Sequence, residues 1–403
     1  MFHVATGRSN HADAFRAGRE AALSAQIEIV QRHGKRLRPG LALVFGDARY
    51  AQQRLLDGVA DIIGRNVTLV GCSSTGQISP LGLEHGSVVV MLIWPGSRLA
   101  VCPVLATGVG ASPYASGLTL GREIRARLPH AADVTTRTKW IGDRFVTIHP
   151  YTLLLFSDST GSDQALLAGA SAALGPAFQI VGAMAANAPR MGEPCVYYNG
   201  VVQHDAAVGL AVVSRVPTAV GVCRGVCEQH PESTLLRHDN GVLYTPGERR
   251  LQMVSATISS AHIPPLPRNG HTTTSGNGSR FSLPSPSLLD IRHIETEGAA
   301  TDNGAVSRNG CTTQCSVEAA RAAAEYARNS LGNALPAAAM VFGSSTGPDR
   351  AGAGMGQKLA AVRSILGEGV PVIGFHANGA PDVPSAHISD PHSQTCVVYV
   401  VGI

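Results

Sequence analysis

Short runs of uninterrupted apolar residues recur along this 403-residue chain and alternate with stretches of helical period. LALVF at 41–45, VTLVG at 67–71 and VVVMLIW at 88–94 are strand-sized, as are YTLLLF at 151–156, FQIVGAM at 178–184 and AAVGLAVV at 206–213. A third set is AAAMVF at 337–342, VPVIGF at 370–375 and TCVVYVVG at 395–402. Runs without polar alternation suit strands covered on both faces. Between the first two runs of each set lies a helical pattern. Leu55, Val59, Ile62 and Ile63 carry it in the first, and Leu166, Leu167, Ala170 and Leu174 in the second. Two further helices are predicted. Ala12 to Gln31 gathers Phe15, Ala22, Ala25 and Ile29 on one face, with Gly18 as a weak point. Ser316 to Leu331 opens on an N-cap, carries Glu318 in its first turn and ends before Gly332.

The three sets repeat one grammar of strand, polar loop, helix, strand, Gly-loop and a further strand. Phe45 to Gly71 and Phe156 to Gly182 are both steps of 26 positions; Phe342 to Gly374 is a step of 32, extended by AGAGMGQ. Strand-helix-strand with short links implies parallel pairing and right-handed crossovers. The fold class expected is α/β, with repeated strand-helix-strand units forming layered sheets flanked by helices, in two related parts. Residues 259–289 are rich in Ser, Pro, Gly and Thr and break the pattern. They predict a loop or linker between a part at 1–258, with units at 40–93 and 151–213, and a part at 290–403.

Composition narrows the function classes. With 44% hydrophobic and 15% charged residues, the chain is neither disordered nor a coiled coil. Aromatics at 5% and 45 glycines favour small-residue packing and tight turns over an aromatic stacking surface. A net charge of +4 is too small and scattered for nucleic acid. No basic run with an apolar core opens the chain, and no apolar stretch reaches membrane-spanning length. Several of the eight cysteines lie in or beside apolar runs, as small buried hydrophobes of a reduced, cytoplasmic protein.

Candidate chemistry concentrates where loops leave the strands' carboxyl ends, the usual ligand position in open α/β sheets. Asp47 and Arg49, then Ser73, Ser74 and Thr75, then Asp158, Ser159 and Thr160, and finally Ser344, Ser345 and Thr346 stand there. Hydroxyls and loop N–H groups bind carboxylates or phosphates, and the same residue types cap helices and make turns. The recurrent SSTG lacks the framework of a nucleotide loop. His376, in GFHANGA, and His392, before the last strand, are candidates to hydrogen-bond an anion or ligate iron. Cys223 with Cys227, and Cys311 with Cys315, have a spacing zinc permits. Ser345, in the GxSxG match GSSTG, and Cys72 are the conceivable nucleophiles, and neither has a base identifiable in sequence.

Five motifs carry a resemblance. GCSSTGQI at 71–78, IVGAMAAN at 180–187, VFGSSTG at 341–347, VIGFHANGAPDVP at 372–384 and HSQT at 392–395 resemble, in order and spacing, the FIST family of bacterial sensory domains. The likeness runs from about Val4 to Ile403 and covers the family's N-terminal and C-terminal domains. Gln77 stands where an acid is usual, Ala183 and Asn187 where Gly and Asp are common, and Ser393 for the usual Asn. Gly379-Ala380-Pro381 stands for Gly-Glu-Ile. The resemblance implies a sensor of small ligands such as amino acids. Some members are haem proteins that sense nitric oxide and report to a histidine kinase or cyclic-di-GMP enzyme.

The reading this supports is a cytoplasmic small-ligand sensor signalling to a separate partner, with no nucleic acid or membrane involved. Its pocket would be lined by His376, Asn378, His392, Ser344, Ser345 and Thr346, or by Ser73, Ser74, Thr75 and Asp158. Such donors favour an anionic or neutral ligand. One alternative is a haem version with His376 or His392 as axial ligand. Another is an enzyme using the same pocket.

Overall fold

The computed structural model describes residues 2–34, 36–128, 137–141, 144–148, 151–158, 163–185, 193–224, 237–239, 242–244, 313–344, 353–377, 386–388 and 395–403. Three units follow one another. The first is β1 (His3–Ser9), α1 (Ala14–His33), β2 (Leu41–Asp47), α2 (Gln52–Ile63), β3 (Thr68–Ser74), a hairpin of β4 (Gln77–Ser79) and β5 (Gly82–Glu84), and β6 (Val88–Trp94). The second is β7 (Leu99–Thr107), α3 (Pro113–Arg127), the ladder of β8 (Arg137–Ile141) and β9 (Arg144–Ile148), β10 (Tyr151–Ser157), α4 (Asp163–Leu174), β11 (Phe178–Met184), a hairpin of β12 (Val196–Tyr198) and β13 (Val201–Gln203), and β14 (Ala206–Ser214). The third comprises β15 (Thr218–Arg224), the ladder of β16 (Arg237–Asp239) and β17 (Val242–Tyr244), α5 (Thr313–Ser330), β18 (Pro336–Ser344), α6 (Ala353–Leu366), β19 (Val372–Ala377), β20 (Ala386–Ile388) and β21 (Thr395–Gly402). The β16–β17 ladder belongs to a compact unit of its own, residues 228–306; everything below concerns residues 1–227 and 307–403.

Each unit builds a sheet by the same rule. Leu41 faces Thr68 and Tyr151 faces Phe178 in parallel pairs, both 27 positions apart, and Ala339 faces Val372 likewise at 33. The closing strand inserts antiparallel between the unit's first strand and the first strand of its parallel pair, giving β1-β6-β2-β3, β7-β14-β10-β11 and β15-β21-β18-β19. Each sheet is then completed by another unit's strand. The β4–β5 hairpin of the first unit extends the third sheet, β12–β13 of the second extends the first, and β20 of the third joins the second. The helices cap the outer faces: α1 and α2 over the first sheet, α3 and α4 over the second, α5 and α6 over the third.

The three inner faces share one core, and its centre is aromatic. Phe45, Phe156 and Phe342 stand at matching positions of the three units, with ring centroids 5.5, 6.1 and 6.3 Å apart. Phe375 joins them, 4.7 Å from Phe45. Four of the nine phenylalanines thus meet at this point. Beside them, Gly71, Gly182 and Gly374 repeat because the neighbouring strand leaves no room: an added Cβ would lie 1.8–1.9 Å from the carbonyl oxygen of Val44, Leu155 or Val341.

Gly18, a weak point in helix propensity, is a packing requirement in the fold. A Cβ there would meet the Leu55 carbonyl at 2.1 Å, and one on Gly58 would meet that of Phe15 at 2.0 Å. Gly117 and Gly169 join α3 to α4 in the same reciprocal way. Helix α1 opens on Asp13, whose carboxylate accepts the Arg16 N–H. Helix α5 opens at Thr313, ahead of the cap expected at Ser316. Residues 259–289, the expected linker, lie outside the described residues.

Candidate functional site

At the carboxyl end of the first sheet the polar loop residues are bound to one another. The Asp47 carboxylate is 1% exposed and accepts from the Gly86 N–H at 2.6 Å, the Arg49 N–H and the Arg49 guanidinium. The Ser73 hydroxyl accepts the Cys195 N–H at 3.0 Å, fastening β3 to the second unit's chain. The Gln77 amide donates to the Ser74 hydroxyl at 2.8 Å, while its oxygen accepts from the Ser87 N–H and hydroxyl. The same amide donates to the Ser74 carbonyl at 3.2 Å, which a carboxylate at position 77 could not do. Thr75 is half-buried, with its carbonyl 2.7 Å from His85 Nδ1. In the second sheet, Asp158 accepts the Ala206 N–H at 2.8 Å, as Asp47 accepts that of Gly86. Burial raises the Asp158 carboxyl above the usual range, against the lowering effect of its backbone hydrogen bonds.

The third sheet differs in kind. One row crosses its carboxyl end: Cys223 of β15 lies opposite Cys396 of β21, Cys396 beside Gly343 of β18, and Gly343 beside His376 of β19. The His376 N–H donates to the Gly76 carbonyl at 2.9 Å, which brings the first unit's Ser73–Thr75 loop against the third unit. Phe375 points into the central core, so the alternation of a strand turns His376 toward the helices. Its ring atoms come within 3.6–3.7 Å of where a Cβ on Gly343 would stand, and the Met355 methyl within 2.9 Å. Lys358 of α6 is 7% exposed, and its charge acts on the buried Cys396 thiol.

The repeat shows how unusual this is. Helices α2, α4 and α6 all end before a glycine of positive φ, at Gly64, Gly175 and Gly367. Counted back from those glycines, Lys358 occupies the place of Leu55 and Leu166, both fully buried. By ladder position, His376 replaces Ser73 and Met184, Cys396 replaces Val88 and Ala207, and Cys223 replaces Ser9 and Ala106. Among the described residues, Lys358 is the one buried cation, and the buried carboxylates Asp47 and Asp158 belong to the other two units.

These features sit on a sheet-and-helix frame that a family model also recognises: the FIST N domain matches residues 40–245, about half of the chain. The chain belongs to the FIST family. No curated protein matches this FIST chain. Among solved structures, it is similar to cyanuric acid hydrolase from A. caulinodans at 11% identity and a TM-score of 0.38, covering 100% of this chain and 99% of that one. It is also similar to PurLQS from Thermotoga maritima at 13% identity and a TM-score of 0.25, covering 100% and 72%. Scores below 0.5 establish no shared fold with either.

Of the sequence candidates of this FIST protein, Ser73, Ser74, Ser344 and His376 stand on described strands, Thr75 and Asp158 follow strands directly, and the Gly76 carbonyl brings the Ser73–Thr75 loop to His376. Ser344 ends β18 beside Ala377. Ser345, Thr346, Asn378 and His392 lie outside the described residues, as do Cys227 and Cys311. Cys315 lies in α5. Among the described residues no group of three His, Cys, Asp or Glu is placed to hold a metal ion. The His376 ring lies against Gly343, which Met355 also approaches. Cys72 is not an activated nucleophile, because burial pushes its thiol well above the ordinary value and Cys195 adds to the effect. No described helix is long and apolar enough to cross a membrane. Sequence reading missed Lys358, Cys396 and the pairing of Cys223. Aligning the third helix on Gly367 reveals the first of these.

Proposed function

We propose that this FIST protein is a cytoplasmic small-ligand sensor, and that its ligand binds at the carboxyl end of the third unit against Lys358 and His376. The observation that carries this reading is the lysine itself. A buried ammonium stands where the two sister helices carry leucine, and burying a charge costs stability that a leucine would not. Such costs concentrate at functional sites. An ammonium that acts on Cys396, with an imidazole two strands along the same row, favours a ligand with a carboxylate or a neutral acceptor, as in an amino acid, over a cation. Binding would favour one of two conformations, and a separate partner such as a histidine kinase or cyclic-di-GMP enzyme would read the change.

The test is a thermal-shift panel of amino acids and small carboxylates on the parent protein and on Lys358→Leu, which restores the residue of the other two units. Lys358→Leu is expected to fold, since leucine packs fully buried at the matching place in α2 and α4. It is expected to lose the ligand-induced shift that the parent shows. An equal shift in both proteins would move the site elsewhere. A Soret band in the purified parent that survives dialysis would favour the haem reading instead.

A further inference from the structure

We propose that Cys223 and Cys396 form a reversible disulfide in response to hydroperoxides. Their Cα atoms are direct partners in the antiparallel β15–β21 ladder. Opposed residues in such a ladder stand about 4.5 or 5.5 Å apart, and a disulfide needs about 4.4–6.8 Å, so the Cα spacing suits the link. Both side chains join the helix-facing core of the third sheet. The other close cysteine pair provides the contrast. Cys72 points into the central core and Cys195 into the helix-facing core of the first sheet, so the sheet separates their sulfurs. Both members of the third-sheet pair stand as thiols in this structure.

Position assigns the order of events. Cys223 is half-buried on β15, the edge of its sheet, while Cys396 is 5% exposed. Burial pushes the Cys396 thiol up to about 12, with Lys358 acting in the opposite direction. Cys223 is thus the sulfur a peroxide meets first. Its thiolate attacks one peroxide oxygen, the O–O bond breaks, and hydroxide (or alkoxide) leaves, giving a sulfenic acid. The Cys396 sulfur then attacks the Cys223 sulfur. The S–O bond breaks, the S–S bond forms, and the departing hydroxyl leaves as water with the Cys396 proton. Two electrons pass from the sulfurs to the peroxide. A link on the edge strand, with Cys223 half-buried, is open to attack by thiols, which makes the change reversible.

The test uses the full chain, treated with hydrogen peroxide, alkylated and digested without reductant. Mass spectrometry should find the Cys223 and Cys396 peptides joined, and dithiothreitol should separate them. The oxidised protein should melt higher than the reduced one, since the link closes a long loop. Cys396→Ala, which takes the residue of the second unit, should leave Cys223 as a sulfenic acid, or a sulfinic acid with excess peroxide, and abolish the melting shift. Alkylation of both cysteines after peroxide treatment that oxidises other thiols would overturn the proposal. So would a link from Cys223 to Cys227, the zinc-spaced neighbour.

Discussion

Asp158 illustrates how much one buried side chain decides. Its carboxyl is raised in the folded protein, so the fold holds this proton to higher pH than the unfolded chain does. The contribution is absent below the unfolded value of about 3.9, turns against folding as pH rises through the window between the two values, and stays unfavourable above it. Asp158→Asn keeps an oxygen to accept the Ala206 N–H and removes the buried charge. It should melt at or above the parent at pH 7, with the difference shrinking as pH falls toward 4; a large loss at pH 7 would mean the charge itself is needed. Lys358 poses the opposite problem, a charge kept where leucine packs. The polar loop residues were legible in sequence because Ser, Thr, Asp and Gly cluster after each apolar run. Their distant partners were not, since the N–H groups of Gly86, Cys195 and Ala206 meet them only through the fold.

At the scale of elements, the strand-helix-strand order was legible because each strand is a continuous apolar run and each middle helix keeps its period. The exchanged hairpins were not. Segments of three residues such as Gln77–Ser79 carry no period of their own, and their place in the third sheet is fixed by pairing with Gly374 and Phe375. The helix pairs were half legible: glycine is a propensity defect by itself, and only the partner helix shows why it is there. Gly18→Ala and Gly58→Ala should each cost about 2 kcal/mol or more, because the new methyl meets backbone that cannot turn aside. Once one methyl has pushed α1 from α2, the second has less left to displace. Urea unfolding of the double variant should therefore show a cost well below the sum of the singles. Strict additivity would mean that the two contacts are independent.

At the scale of the molecule, three sheets share one core and each is finished by another unit's strand, so no sheet is complete alone. Native-state hydrogen exchange should find β2, β10 and β18 opening together, at one free energy and with one denaturant dependence. Phe156→Ala, at the centre, should lower that common value by about 3–5 kcal/mol in all three strands. Opening of the third unit alone at lower denaturant would contradict the shared core. Within this symmetric frame the third unit is the exception, with lysine, histidine and two cysteines at positions that are apolar or small in its sisters.

The most direct test of that exception is calorimetric titration of the compound that most stabilises the parent into three proteins: parent, Lys358→Leu and Asp158→Asn. Loss of a charge-assisted contact should weaken binding by Lys358→Leu at least about tenfold, or ~1.4 kcal/mol, and leave Asp158→Asn within about twofold of the parent. Equal affinity for parent and Lys358→Leu, with binding lost in Asp158→Asn, would place the ligand in the second unit and contradict the account.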